Sequence, residues 1–174
     1  MARLEFVDAS TPGVDAALVN MVKERRGGEL LNLDKLLLHS APLARGWNAM
    51  FGAIRTGGIL DGGVRELVIL LVAILNRAPY EFAQHAPVAL EEGVPQAKID
   101  ALGHWAQAGD FTQRERDALA YATAMTLQVQ VPDDVFADVR RHFNEREMVE
   151  LTATVAGYNM VSRFLEAMQI EVER

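Results

Sequence analysis

From Leu67 to Leu75 the chain reads Leu-Val-Ile-Leu-Leu-Val-Ala-Ile-Leu, without one polar residue. Asp61 stands ahead of this run as an N-cap and Asn76-Arg77-Ala78 breaks it, so the segment is read as a single helix. Its apolar residues cover nearly every side of the cylinder, and one flanking neighbour could not bury them all. A helix of this kind has to be enclosed by others, at the centre of a bundle or of an oligomer. It falls well short of the roughly 20 residues a membrane span requires, so no membrane partner is expected.

The rest of the chain supplies helices to do the enclosing. Val14–Lys23 is a helix ended by Gly27-Gly28, Leu30–His39 is a second, and Pro42 opens a third running from Leu43 to Arg55. Pro79 starts a helix that stops at Gly93, and Pro95–Leu102 begins another with proline in its first turn. Thr112-Gln113-Arg114-Glu115 is a capping-box pattern opening a helix through Leu127. Asp133 caps a helix through Phe143, and Asn144-Glu145-Arg146-Glu147 initiates a long last one ending near Met168. Val129-Gln130-Val131-Pro132 is the single segment that reads as extended, so the class is all-α. Arg65-Glu66-Leu67-Val68 is echoed by Arg146-Glu147-Met148-Val149, which suggests two related helical units without establishing a repeat.

Composition removes several function classes. Half of the 174 residues are hydrophobic, enough for a real core. With 17 Lys and Arg against 24 Asp and Glu the net charge is −7, which argues against binding to nucleic acid or an anionic membrane. There are no cysteines, so disulfides, thiolate metal sites, thiol peroxidase chemistry and cysteine nucleophiles are all excluded. Met1–Phe6 shows no secretory pattern, and a cytoplasmic location is expected. His39, His104 and His142 lie far apart with no ligand spacing around them, and the glycine pairs at 27–28, 57–58 and 62–63 form no phosphate-binding motif. Neither a metal nor a cofactor is expected.

The candidates for chemistry gather around Pro79-Tyr80-Glu81-Phe82-Ala83-Gln84-His85. Glu81 and His85 share one helical face, where the carboxylate could orient the imidazole for acid/base work. Glu81 could equally be a first-turn residue complementing the helix dipole. Glu66, at the head of the apolar helix, either stays wet near the first turn or is buried, in which case its pKa should rise as a general acid requires. Tyr80 either donates a phenolic hydrogen bond into such a site or packs its ring. Asn159 and Arg163, four apart, could hold an anionic group of a substrate, while Arg163 could also pair with Glu166. Trp47, with Met50 and Phe51, reads as a core or interface stripe and, second, as a substrate-binding residue.

Arg65-Glu66-Leu67-Val68, Tyr80–His85, Leu90–Gly93 and Gly157-Tyr158-Asn159-Met160-Val161-Ser162-Arg163-Phe164 together resemble the carboxymuconolactone decarboxylase family, whose fold is the AhpD-like helical bundle. The resemblance divides a single domain, residues 1–174, into an N-terminal helical extension, 1–40, and a family core, 41–170. Peroxidase-type members carry a glutamate, a Cys-x-x-Cys pair and a histidine; aligned on Glu66 and His85, the two thiol positions fall on Ala78 and Glu81. The resemblance therefore implies a branch that keeps the relay ends and lacks the redox pair. It also implies a homo-oligomer, commonly a trimer or a hexamer built from trimers.

Two functions follow as expectations. One is a cofactor-independent, decarboxylase-like lyase or an isomerase acting on a small carboxylated or lactone-type molecule, with His85 and Glu81 moving protons and Glu66 and Tyr80 orienting them. The other is a non-catalytic helical oligomer or small-molecule-binding protein in which the same four residues form a buried polar network.

Overall fold

The computed structural model describes residues 2–173, and among them the chain is built from α-helices with no strand. In order these are α1 (Ala16–Arg26), α2 (Asn32–Leu37), α3 (Ala41–Thr56), α4 (Gly62–Asn76), α5 (Pro79–Glu91), α6 (Gln96–Ala101), a 3-10 turn at Leu102–His104, α7 (Gln113–Leu127), α8 (Asp133–Arg140) and α9 (Glu145–Met168). They fall into two compact units, one made of the described residues up to Gly57 and those from Leu165 onward, the other of Gly58–Phe164.

In the first unit α3 packs against α1 and α2. Asp15 caps α1 by accepting from the amides of Ala17 and Leu18, and Gly27, at φ 82°, ends it in the left-handed conformation that glycine adopts without strain. Leu18, Val19 and Val22 are buried. Asp34 is buried too, and Arg26 holds it with Nε at 2.9 Å and Nη2 at 3.1 Å. Trp47 stacks obliquely on Phe51 with ring centroids 4.8 Å apart.

In the second unit α4 is the central element, as its sequence requires. It packs against both α5 and α7, and every residue from Val64 to Ala73 is buried. Asp61 Oδ1 accepts from the Val64 amide at 2.9 Å and so fixes the start of the helix. Arg77, left-handed at φ 56°, ends it, and Pro79 opens α5 two residues later. The capping box at Thr112 and Glu115 starts α7 as the sequence indicates. Glu150 on α9 accepts from the amides of Ile59 and Leu60 at 2.7 and 2.8 Å, pinning the segment that leads into α4. A side chain at Gly58 would crowd that carboxylate.

One expected element is corrected. Val129–Pro132 is not an extended strand but the link between α7 and α8, with Val129 left-handed at φ 67° and largely exposed. β-branched composition favours a strand only where another strand stands beside it to complete the ladder, and none does. Among the described residues no helix is long and apolar enough to cross a membrane.

The enclosure of α4 gives a direct expectation for stability. Leu70 has no exposed surface, and Leu70→Ala is expected to destabilise the protein by about 2–5 kcal/mol in urea unfolding, the cost of a cavity in a core that cannot collapse. A loss well under 1 kcal/mol would mean that α4 is not the core.

Candidate functional site

Three helices of the second unit bring the site together. Glu66, on α4, has no exposed surface, and its Oε2 lies 2.7 Å from Nδ1 of His85 on α5. Its other oxygen accepts from Nε of the neighbouring Arg65 at 3.1 Å. Arg65 reaches further, donating from Nη2 to Oε1 of Glu92 at 2.7 Å. The result is a row of alternating charge, Glu92–Arg65–Glu66–His85, running from the surface into the core. The ring of Tyr158 from α9 stands edge-on to His85 at 89° and 4.9 Å between centroids. One turn before His85, Glu81 is buried and accepts from the hydroxyl of Ser162 at 3.0 Å. Tyr80 beside it is buried as well.

The helical arrangement explains why these groups meet. Residues 81 and 85 share one face of α5, and α5 packs against α4 where Arg65 and Glu66 lie. Ser162 and Tyr158, four apart on α9, present one face to the same place. His85 retains 8% of its surface exposed, whereas Glu66 and Glu81 retain 0% and 1%. Solvent reaches the imidazole more readily than either carboxylate.

Two expectations about Glu66 change. It does not lie in the first turn of α4 and is not wet. Nor is its pKa raised: burial pushes it up, but the hydrogen bond from His85, the charge of His85 and the Arg65 guanidinium outweigh burial and hold it below the usual carboxylate value. For Arg65, burial works against the charge, and the carboxylates of Glu66 and Glu92 overcome it, so its pKa is raised. Glu66 is thus an anion at neutral pH, suited to holding a proton on Nδ1 of His85 rather than to giving one away. The carboxylate on Nδ1 is Glu66 from the neighbouring helix, where the sequence had suggested Glu81 from one turn earlier.

The remaining candidates make other contacts. Asn159 donates to Thr126 Oγ1 and to the Val155 carbonyl, each at 2.9 Å, and accepts from Asn76 at 3.0 Å. Arg163 donates to the Asn159 side chain at 2.7 Å within α9, and Asn159 ties α9 to α4 and α7. Trp47 belongs to the first unit and is buried there. Arg65, Glu92, Tyr158 and Ser162 had no role assigned from sequence. Their signal was present, since all four fall inside the stretches that carry the resemblance, yet no spacing rule links one helix to another. Among the described residues, no group of three or more acidic or histidine side chains is disposed to hold a metal ion.

The comparisons with known proteins bear on the fold and the family. Residues 41–124 match the carboxymuconolactone decarboxylase family. Over that segment the chain is similar to this family, and it carries no cysteine. Over 106 residues it is 27% identical to the uncharacterized protein YdfG of Bacillus subtilis (strain 168), a match covering 60% of this chain and 72% of that protein. Over 115 residues it is 30% identical to the uncharacterized protein YnjA of Escherichia coli (strain K12), covering 66% of this chain and 63% of YnjA, just under two thirds. A solved structure described as an alkylhydroperoxidase AhpD core, a peroxidase-related protein from Ralstonia eutropha JMP134, superposes with a TM-score of 0.84 at 18% identity over 99% of this chain and 92% of that one. At that identity the likeness is one of fold. With no sulfur at Ala78 or Glu81, nor a cysteine anywhere, thiol peroxidase chemistry has no support in this chain.

The depressed pKa of Glu66 sets the sign of a pH effect. A carboxyl whose folded pKa lies below its unfolded one contributes stability above the unfolded value, and that contribution is lost as pH falls through the folded value. Urea midpoints taken from about pH 7 down to about pH 3 are expected to fall less steeply below the usual carboxylate range in Glu66→Gln than in the wild type. Parallel acid limbs would show that Glu66 is not held as an anion by the fold.

Proposed function

We propose that the protein is a cofactor-independent acid/base enzyme, a decarboxylase-like lyase or an isomerase, acting on a small carboxylated or lactone-type molecule. The observation that carries the reading is the 2.7 Å contact between His85 Nδ1 and a wholly buried Glu66 carboxylate. With Nδ1–H donating a hydrogen bond to Glu66, a neutral His85 carries its lone pair on Nε2, the nitrogen that takes a proton from a substrate acid and later returns it. In a decarboxylation Nε2 of His85 takes the proton of the substrate carboxyl group, the electron pair of the breaking carbon–carbon bond passes into an enolate as carbon dioxide leaves, and the imidazolium so formed returns that proton to the enolate. Glu81 is the second proton carrier of the proposal, with Ser162 holding one of its oxygens, and Tyr80 and Glu66 orient the pair. Asn159 and Arg163 enter it as substrate-binding residues, with Asn159 also joining α9 to α4 and α7.

The near-complete burial of Glu66 and Glu81 favours a second reading, in which the network serves only to fix how the helices pack. We extend either reading to a homo-oligomer, trimer or hexamer. Exposed apolar side chains such as Leu127, Phe136 and Val149 support it, and light scattering tests it.

Turnover of a panel of lactones and β-keto acids separates the two functions. His85→Ala is expected to lower kcat/KM by about 100-fold or more, with Glu81→Gln also impaired and both variants folded. Unchanged rates in both would remove the mechanism. Lost stability without any turnover by the wild type would favour the structural network.

A further inference from the structure

The row of charge on α4 and α5 extends beyond the Glu66–His85 pair, and its outer half has a built seat. Arg65 is held at both ends of its guanidinium, by Glu66 Oε1 at 3.1 Å and by Glu92 Oε1 at 2.7 Å. Its side chain is only 10% exposed while that of Glu92 is 38% exposed, so the row has one end in water and the other in the core. Glu92 caps the C-terminal end of α5, and its carboxylate lies against Gly62, in the first turn of α4. A Cβ at Gly62 would overlap that carboxylate, so the glycine leaves the space in which Glu92 meets Arg65. The first turn of a helix is also where an anion is favoured.

We infer that Arg65 is a positioning residue for the Glu66–His85 pair, and that Glu92, seated against Gly62, is its outer anchor. The inference rests on the acid/base reading for its consequence in turnover, and on geometry alone for its effect on His85. Glu66 has two oxygens and two partners. Arg65 fixes Oε1, which leaves Oε2 aimed at Nδ1 and limits the rotation of the carboxylate. Arg65 also shares the negative charge of Glu66, so less of it is spent on stabilising a protonated His85. Glu92 in turn shares the positive charge of Arg65. Among the groups around His85 are Glu66 from α4, which Arg65 backs, Tyr158 from α9, and Glu81 one turn away on α5. Among these Arg65 is the cation that opposes the imidazolium, and it is set one carboxylate further out.

The two charges of the outer half therefore act on His85 with opposite sign. Arg65→Gln removes the opposing cation and is expected to raise the midpoint of the His85 titration, followed by NMR of the imidazole, by about half a pH unit or more. Glu92→Gln keeps an oxygen to accept from Arg65 but removes the outer anion, and is expected to lower it by a smaller amount. Arg65→Lys restores the charge without the fork and is expected to fall between wild type and Arg65→Gln. If Arg65→Gln does not fold, Arg65→Lys and Glu92→Gln still carry the test. Midpoints that stay put in the folded variants, or that move in the same direction for Arg65→Gln and Glu92→Gln, overturn the inference. With a substrate in hand, the pH profile of kcat should move in step with each midpoint. A profile that ignores a shifted midpoint would leave the positioning of His85 standing and remove His85 from the chemistry.

Discussion

A carboxylate set at the head of an entirely apolar helix is the constraint on which the second unit depends. Glu66 has no exposed surface, and an uncompensated charge there would cost far more than a typical protein's net stability. It is tolerated because both oxygens are met, one by His85 from α5 and one by Arg65 from its own helix. The partners are themselves constrained: the His85 ring by the edge of Tyr158, Arg65 by Glu92. Removing any one member exposes the next to a buried charge it was compensating. The packing of α4 against α5 is thus specified by polar geometry as well as by apolar area.

The apolar face of α4 works in the other direction. Leu67–Ala73 contributes nothing directional, and many registers of two greasy helices would bury similar area. The polar row chooses among them, because only one register brings Oε2 of Glu66 to Nδ1 of His85. Asn159 does the same further along, joining α9 to Asn76 of α4 and Thr126 of α7. Hydrophobic burial supplies the driving force, and a few hydrogen bonds supply the alignment.

Much of this was legible in the chain itself. Caps at Asp61 and Thr112, the proline at 79 and the break at Asn76–Ala78 fall where local rules put them, since each depends on residues within one turn. The presence of Glu66, Tyr80, Glu81 and His85 in one neighbourhood was legible too, from helix periodicity and resemblance. Their pairing was not. Helix spacing favoured Glu81 as the partner of His85, and the bond to Glu66 comes instead from how two helices pack, which no local rule encodes. The direction of the Glu66 pKa failed for the same reason: burial was foreseeable, the two cationic partners were not. Val129–Pro132 misled because its composition suits a strand and its surroundings offer none.

The side chains that stand where the peroxidase-type thiols would be have a last consequence. Ala78 is buried and inert, and Glu81 is a carboxylate held by Ser162. Neither has an oxidised form to be recycled. A site of this make-up has one resting state whatever the redox poise of its surroundings, and it calls for no electron-donating partner to return to it. Thiol-blocking reagents have no thiol here on which to act.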